Sequence, residues 1–242
     1  YAGIDILSGN GTLECLGDMC NGYTFYTSAL SPTQNFGLTV PINLIVFTIG
    51  EFNCGTIRNK IIAGNRKTSI YLSLVITGLI FTITLMLIYF GLSVGISSLI
   101  GGFKGSKPSS FDINFDMALL YQYPLIGLAT YIFIVALGIF VATTVRNIGG
   151  SLPIVIISIV FLYFLAFIPT IRSLFSEEES IGSLIQSYVN PLYGMGALGL
   201  GGITVGASLS TTKFIGTIIC PIYWSAILVL LGVIVFNKKD VK

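Results

Sequence analysis

Long apolar runs separated by short polar segments dominate the chain. Five of these runs contain no Lys, Arg, Asp or Glu, and they cover residues 31–50, 70–92, 118–141, 152–170 and 214–236. Each is close to the roughly 20 residues that a helix needs to cross the hydrocarbon core of a bilayer. Because the runs lack two-residue alternation, they predict membrane-spanning helices and not the strands of a closed barrel.

Composition supports the same class of protein. Only 9% of the 242 residues are charged and 54% are hydrophobic, whereas soluble domains carry about 25% charged residues. A water-soluble fold is therefore excluded. Gly, Ser and Thr within the apolar runs favour helices that pack closely in lipid. We predict an all-α integral membrane protein with one membrane domain over residues 1–242.

The basic residues predict the orientation of the chain. They concentrate in residues 51–67, at Arg146 and after Phe236. If these segments face the same side, that side carries eight Lys and Arg against four on the other side. Basic segments near span ends favour the cytoplasm. We therefore expect an outer loop at residues 1–30 and a cytoplasmic tail at residues 237–242.

An outer N-terminus leaves an odd number of spans. The chain begins at Tyr1 without an initiator Met. We expect that a further helix precedes it, so that five of six spans are present.

Two cysteines of the predicted outer loop are close in sequence. Cys15 and Cys20 could form a local disulfide in an oxidising exterior, or they could remain free thiols. The chain has four Cys and no His, so we predict no metal site.

Residues 53–66, between the first two apolar runs, form a short basic segment. Its isoleucines recur at helical spacing, and the polar residues between them are predicted to point elsewhere. The isoleucines are Ile57, Ile61 and Ile62, and the polar residues are Arg58, Asn59 and Lys60. Gly55 and Gly64 bound the segment as helix breakers. Two interpretations remain open: a short cytoplasmic helix that binds a partner, or a basic loop that anchors at lipid headgroups.

The sequence EFNCGTIRNKIIAGNRKTSIYLS, residues 51–73, resembles the first coupling helix and its flanks in type-2 ABC transporter permeases. The tail FNKKDVK, residues 236–242, is similar to the basic C-terminal end of that family, and Asn190-Pro191 also has a counterpart there.

The resemblance implies a six-helix ABC exporter permease fold in a bacterial plasma membrane. It implies a second permease subunit and two ATP-binding subunits, in which ATP and Mg²⁺ are bound. It implies a second, smaller contact with those subunits in the cytoplasmic turn 143–150. The implied coupling residues are Glu51, Phe52, Gly55, Thr56, Ile57, Arg58, Asn59, Lys60, Gly64 and Arg146. We expect Glu51 and Arg58 to be the main relay.

Several absences from the sequence narrow the mechanism. No Gly-x-x-x-x-Gly-Lys-Ser/Thr motif occurs, so the chain does not hold ATP phosphates in a P-loop. The absence of His excludes His-dependent hydrolases. Ion-coupled carriers need charged groups near the midplane, and the five runs have none. A secondary carrier and a structural membrane anchor remain as alternatives from other classes.

Neutral side chains must then line any pathway. Candidates are Asn43, Thr39, Tyr121, Tyr123, Tyr131, Thr217, Tyr223 and Trp224. Such a pathway favours amphipathic or hydrophobic substrates, for which we expect peptides, toxins or drugs, with lipid or polysaccharide export as the alternative. The outer segment 171–212 is predicted to hold re-entrant or interfacial helices that cap the pathway.

Overall fold

The computed structural model describes residues 22, 26, 29–30, 35–102, 117–175, 181–195 and 209–238. These residues are almost entirely helical and include no strand, which confirms the all-α prediction for this part of the chain. The helices are α1 (Asn35–Asn53), α2 (Thr56–Ile62), α3 (Lys67–Gly101), α4 (Met117–Val145), α5 (Ile148–Phe175), α6 (Ile181–Val189) and α7 (Thr211–Lys238).

Four helices, α3, α4, α5 and α7, are long and apolar enough to cross a membrane. The pair α1 and α2, bent by 53°, gives a fifth candidate span. The helices begin and end differently from the apolar runs that predicted them. α3 continues to Gly101, and α5 extends from Ile148 to Phe175. A multi-pass membrane protein is compatible with this architecture.

The turn between α4 and α5 is shorter than predicted. In place of an eight-residue segment 143–150, only Arg146 and Asn147 lie outside the two helices. Asn147 helps to start α5, because its Oδ1 accepts a hydrogen bond from the Gly149 amide at 3.1 Å. An Asn side chain at this position satisfies an amide that the first turn of a helix leaves unbonded.

Helix α4 lies at the centre of the bundle. In its most apolar 18-residue stretch, 72% is buried inside the protein, compared with 17–39% in the corresponding stretches of α3, α5 and α7. α1, α3, α5 and α7 all pack against it. Its fully buried side chains include Tyr123, Ile126, Tyr131 and Ile134.

The outward faces of the other helices are apolar. Large hydrophobic side chains are exposed on α3, α5 and α7, among them Ile76, Leu87, Ile157, Phe164 and Leu230. A soluble monomer rarely exposes such a continuous apolar surface. These faces match the hydrocarbon chains of a lipid bilayer in polarity.

The short helix α6 packs on α5 and α7 with its polar side inward. Ser183 and Ser187 are buried, whereas Ile185 and Val189 are exposed. The turn that follows is buried as well. Asn190 donates through Nδ2 to the Leu162 carbonyl at 2.8 Å. Residues 181–195 of the predicted outer segment therefore pack onto the bundle, where the Asn190 side chain bonds to α5.

Side chains of α4 hold two connecting segments. The Gln122 amide donates to the Leu209 carbonyl at 3.1 Å and accepts from the Leu209 amide at 3.0 Å. In the same way, the Tyr123 hydroxyl accepts from the Leu30 amide and the Tyr131 hydroxyl donates to the Leu30 carbonyl, both at 3.0 Å. These bonds satisfy backbone groups that could not reach water inside the bundle.

Helices α3 and α7 approach each other closely where Gly232 faces Tyr71. A Cβ atom added at Gly232 would lie 1.9 Å from the Tyr71 hydroxyl oxygen. Tyr71 is itself fully buried, so its ring has little room to move away. Glycine at this position is what allows the two helices to approach.

We expect Gly232→Ala to destabilise the protein by about 1–3 kcal/mol, the usual cost of overpacking a filled interface. The matched control is Gly138→Ala in α4, where an added Cβ meets no atom within 4 Å. The thermal unfolding midpoint in detergent would be measured for both variants. Equal midpoints would contradict the close α3–α7 contact.

Candidate functional site

Four separate parts of the chain meet at one end of the bundle, which we call the basic end. They are the α1–α2 junction, the start of α3, the α4–α5 turn and the end of α7. Phe52 contacts Phe236 with ring centroids 6.1 Å apart, and Tyr71 contacts Phe236 at 5.8 Å. The Arg146 guanidinium lies over the Phe52 ring at 5.1 Å. An aromatic cluster thus joins these segments.

The Arg146 backbone is unusual. Among the described residues other than glycine, only Arg146 has a positive φ, of 57°. This left-handed conformation reverses the chain between α4 and α5 and places the guanidinium against Phe52. The predicted contact residue of this turn therefore packs within the basic end, onto the segment that leads into α2.

Hydrogen bonds tie α3 to α7 at the same end. Lys67 Nζ donates to the Asn237 carbonyl at 3.3 Å. The Asn237 side-chain amide donates to the Thr68 hydroxyl at 3.2 Å. Neither Thr68 nor Asn237 was a predicted site residue. Polar residues at the ends of two apolar runs are the signal for such a contact, but the sequence does not show which ends meet.

Glycines set the two boundaries of α2. Gly55 and Gly64 have φ values of 71° and 89°, which side chains with a Cβ rarely adopt. At the C-terminal end, the Asn65 amide and side chain both donate to the Lys60 carbonyl, at 3.2 and 3.1 Å. The predicted short helix is present as Thr56–Ile62, about two turns within the residues 53–66 expected for it.

An ion pair fixes α2 to the end of α1. Lys60 Nζ lies 3.1 Å from Glu51 Oε2, with side chains 41% and 21% exposed. Glu51 is the only Asp or Glu within the described ranges. At this exposure the pair contributes no more than about 1 kcal/mol, so its main effect is to orient the helix. Glu51 is therefore paired with Lys60, while Arg58, the other expected relay residue, is exposed.

The isoleucines of α2 do not share one face. Ile57 is fully buried and Ile61 is partly buried, but Ile62 is 74% exposed. The three residues belong to one short helical segment, as their spacing predicts, but Ile62 lies on its exposed side. Five residues of an α-helix turn through about 500°, so Ile62 lies about 140° from Ile57 around the axis.

Arg58, Asn59 and Ile62 on the outward side of α2, with Ala63 directly after it, form a surface that we call the docking face. Arg58 and Ile62 are four residues apart and so neighbour each other on the helix surface. Arginine is enriched in protein interfaces, and an exposed isoleucine beside it adds an apolar contact. Gly55 and Gly64 bound this helix, whereas the docking face holds its exposed side chains.

The predicted pathway residues lie in different surroundings. Tyr131 is buried in α4 and bonded to Leu30, so it serves packing. Tyr121 and Tyr223 are exposed, on α4 and α7. Asn43 is exposed on α1 and lines a cavity of about 270 Å³ between α1 and α3. Its other lining residues include Phe47, Thr77 and Phe81.

Of the other pathway candidates, Thr39 and Trp224 are exposed, while Tyr123 and Thr217 are buried. Cys15 and Cys20, the predicted disulfide pair, lie outside the described residues. No group of three or more His, Cys, Asp and Glu side chains able to hold a metal ion occurs in the described part of the chain.

Comparison of the sequence with known protein families and characterised proteins, and of the fold with solved structures, gives no match. The resemblance to ABC permeases therefore rests on the motif residues alone. The geometry of the basic end and the docking face is an independent argument about function.

The two isoleucines of α2 provide a direct test of how the helix is held. We expect Ile57→Ala to loosen α2, because truncation of a fully buried Ile costs about 2–5 kcal/mol. Ile62→Ala removes the same atoms from an exposed position and should change stability by less than about 0.5 kcal/mol. Amide hydrogen exchange of α2 measures both. Equal protection in the two variants would show that Ile57 does not anchor the helix.

Proposed function

We propose that this chain is the membrane subunit of a bacterial ATP-driven exporter of the type-2 ABC permease class. Two such subunits would form the pathway, and two ATP-binding subunits would dock at the basic end. The chain is not an enzyme by itself, and ATP and Mg²⁺ bind in the partner. The basic end would face the cytoplasm, together with the C-terminus.

The docking face of α2 is the observation that carries this proposal. It presents Ile62 and Arg58 at the polar end of a bundle whose other exposed hydrophobic residues lie mainly on the helices that could span the membrane. A loop that only anchors in headgroups needs neither a defined helix nor two left-handed glycines. A helix that fits a groove of another protein needs a defined length, which the two left-handed glycines of α2 set.

The attachment of α2 supports a mechanical role. The buried Ile57 and the Glu51–Lys60 pair hold it on the bundle. Beyond α2, the aromatic contacts of Phe52 and the hydrogen bonds of Lys67 link α1, α3 and α7. When ATP binding draws the partner subunits together, a displacement of α2 would pass to these helices. Substrate would then leave toward the outside or from the inner leaflet.

The mixed lining of one cavity supports an amphipathic or hydrophobic substrate, such as a peptide, a toxin or a drug. The cavity beside Asn43 combines an amide with the aromatic rings of Phe47 and Phe81. Its volume of about 270 Å³ is close to the lower end of the range for ligand pockets. No charged side chain lines it, which argues against ion transport.

We expect Arg58→Glu to abolish substrate-stimulated ATPase activity in proteoliposomes that contain the chain and its ATP-binding subunit. The reversed charge would face the partner surface that an arginine fits, and like charges in an interface cost several kcal/mol. Protein levels in the membrane should not change, because Arg58 is exposed. Ile62→Ala should also weaken co-purification of the two subunits, without a loss of stability.

Two matched variants serve as controls. Arg58→Lys retains the charge and should keep part of the stimulated activity. Lys213→Glu makes the same charge reversal at the opposite end of α7 and should leave docking intact. Full activity of Arg58→Glu would overturn the coupling role. If no P-loop ATPase associates with the chain in a nucleotide-dependent manner, a secondary carrier or a structural anchor would replace the exporter.

A further inference from the structure

An apolar cavity of about 370 Å³ opens on the surface between α3, α4 and α7. It is lined by Val75, Leu79, Ile132, Ala136, Ser225, Ala226, Val229 and Leu230. Ser225 is its only polar side chain, and the Ser225 hydroxyl already donates to the Ile222 carbonyl at 2.7 Å. The Ser225 hydroxyl is already committed as a donor and the rest of the lining is apolar, so the cavity fits a hydrocarbon chain.

The cavity and part of the basic end lie along the same line of contact between α3 and α7, which we call the seam. On α3, Lys67, Tyr71, Val75 and Leu79 follow each other at intervals of four residues, so each neighbours the next in a row that drifts about 40° around the helix at each step. Val75 and Leu79 are about 12 and 18 Å along the helix from Lys67 at 1.5 Å per residue. One leaflet contributes about 15 Å of hydrocarbon. The cavity thus lies at the depth that an acyl chain reaches from a headgroup beside Lys67.

The basic end of this seam is strongly positive. Arg66 and Lys238 are exposed on either side of the contact between Lys67 and Asn237. The described residues at the basic end include six basic side chains, at Arg58, Lys60, Arg66, Lys67, Arg146 and Lys238, and one carboxylate, at Glu51. A phosphate group would meet a net positive field there, and each basic residue near a membrane surface attracts anionic lipid.

Between the two regions, the close contact of Tyr71 with Gly232 seals the interior of the seam. An occupant must therefore follow the outer surface, where Leu72, Ile76 and Leu230 are exposed. This surface is apolar from the basic end to the cavity. A molecule with an anionic head and a hydrocarbon tail matches the whole length.

We propose that an anionic phospholipid binds in the seam between α3 and α7, with its phosphate beside Arg66, Lys67 and Lys238 and one acyl chain in the cavity. The acyl chain of the bound lipid fills the cavity between the helices, on the side of Gly232 away from the basic end. Its phosphate neutralises part of the positive charge of the basic end. This proposal does not depend on the proposed transport function, because it concerns the lipid-facing side of the chain and not the docking face.

The test uses the purified full-length chain in detergent, titrated with phosphatidylglycerol or phosphatidylcholine of identical acyl chains and observed by native mass spectrometry. We expect one lipid to be retained with a clear preference for phosphatidylglycerol. Arg66→Gln and Lys238→Gln should each lower the affinity for phosphatidylglycerol about fivefold, the effect of one charge near an anionic headgroup. Both side chains are exposed, so the fold should persist.

A second variant tests the acyl-chain part of the site. Ala226→Phe fills the cavity without changing charge and should lower retention of the lipid at least as strongly. The controls are Lys213→Gln, at the opposite end of α7, and Ile157→Phe, on the exposed face of α5. Equal retention of both lipids by the wild-type chain would overturn the proposal. If the charge variants lost selectivity but Ala226→Phe had no effect, only the headgroup would be bound. That result would overturn the proposal that an acyl chain occupies the cavity.

Discussion

The burial of α4 is the constraint on which the other helices depend. Backbone groups in hydrocarbon have no water to bond, so the side chains of a central helix must supply hydrogen bonds to non-helical segments that pack against it. Gln122, Tyr123 and Tyr131 meet this need by binding the backbone of segments that approach α4. The positions of α1, α3, α5 and α7 follow from packing around this centre, and the lipid-facing surfaces are what remains.

Packing around α4 also explains why the polar segments assemble at one end. Helices that run side by side bring their ends together, so the α1–α2 junction, the α4–α5 turn and the end of α7 become neighbours. Phe52, Phe236 and Tyr71 then form an aromatic cluster, and Arg146 covers one of its rings. A force applied to α2 therefore has direct contacts through which it can reach distant parts of the chain.

The basic end presents two surfaces with different chemistry. The docking face on α2 offers an arginine and an isoleucine on a rigid helix, which suits a protein groove. The seam between α3 and α7 offers cations above an apolar channel, which suits a lipid. Because the docking residues and the lipid-contacting residues are separate, variants of one surface can leave the other intact, and the two proposals can be examined independently.

The sequence by itself determined the helical class, the approximate positions of the five apolar helices and the glycine boundaries of α2. These depend on local properties: the length of apolar runs, the absence of charge within them, and the left-handed conformations that glycine adopts. Side-chain partners, and the side that each residue turns inward, were decided only by the tertiary structure. Lys60 as the partner of Glu51, the exposed side of Ile62, the Tyr71–Gly232 contact and the burial of Tyr131 all depend on which helix faces meet, and a near-uniformly apolar helix carries little periodic signal to specify its inward face.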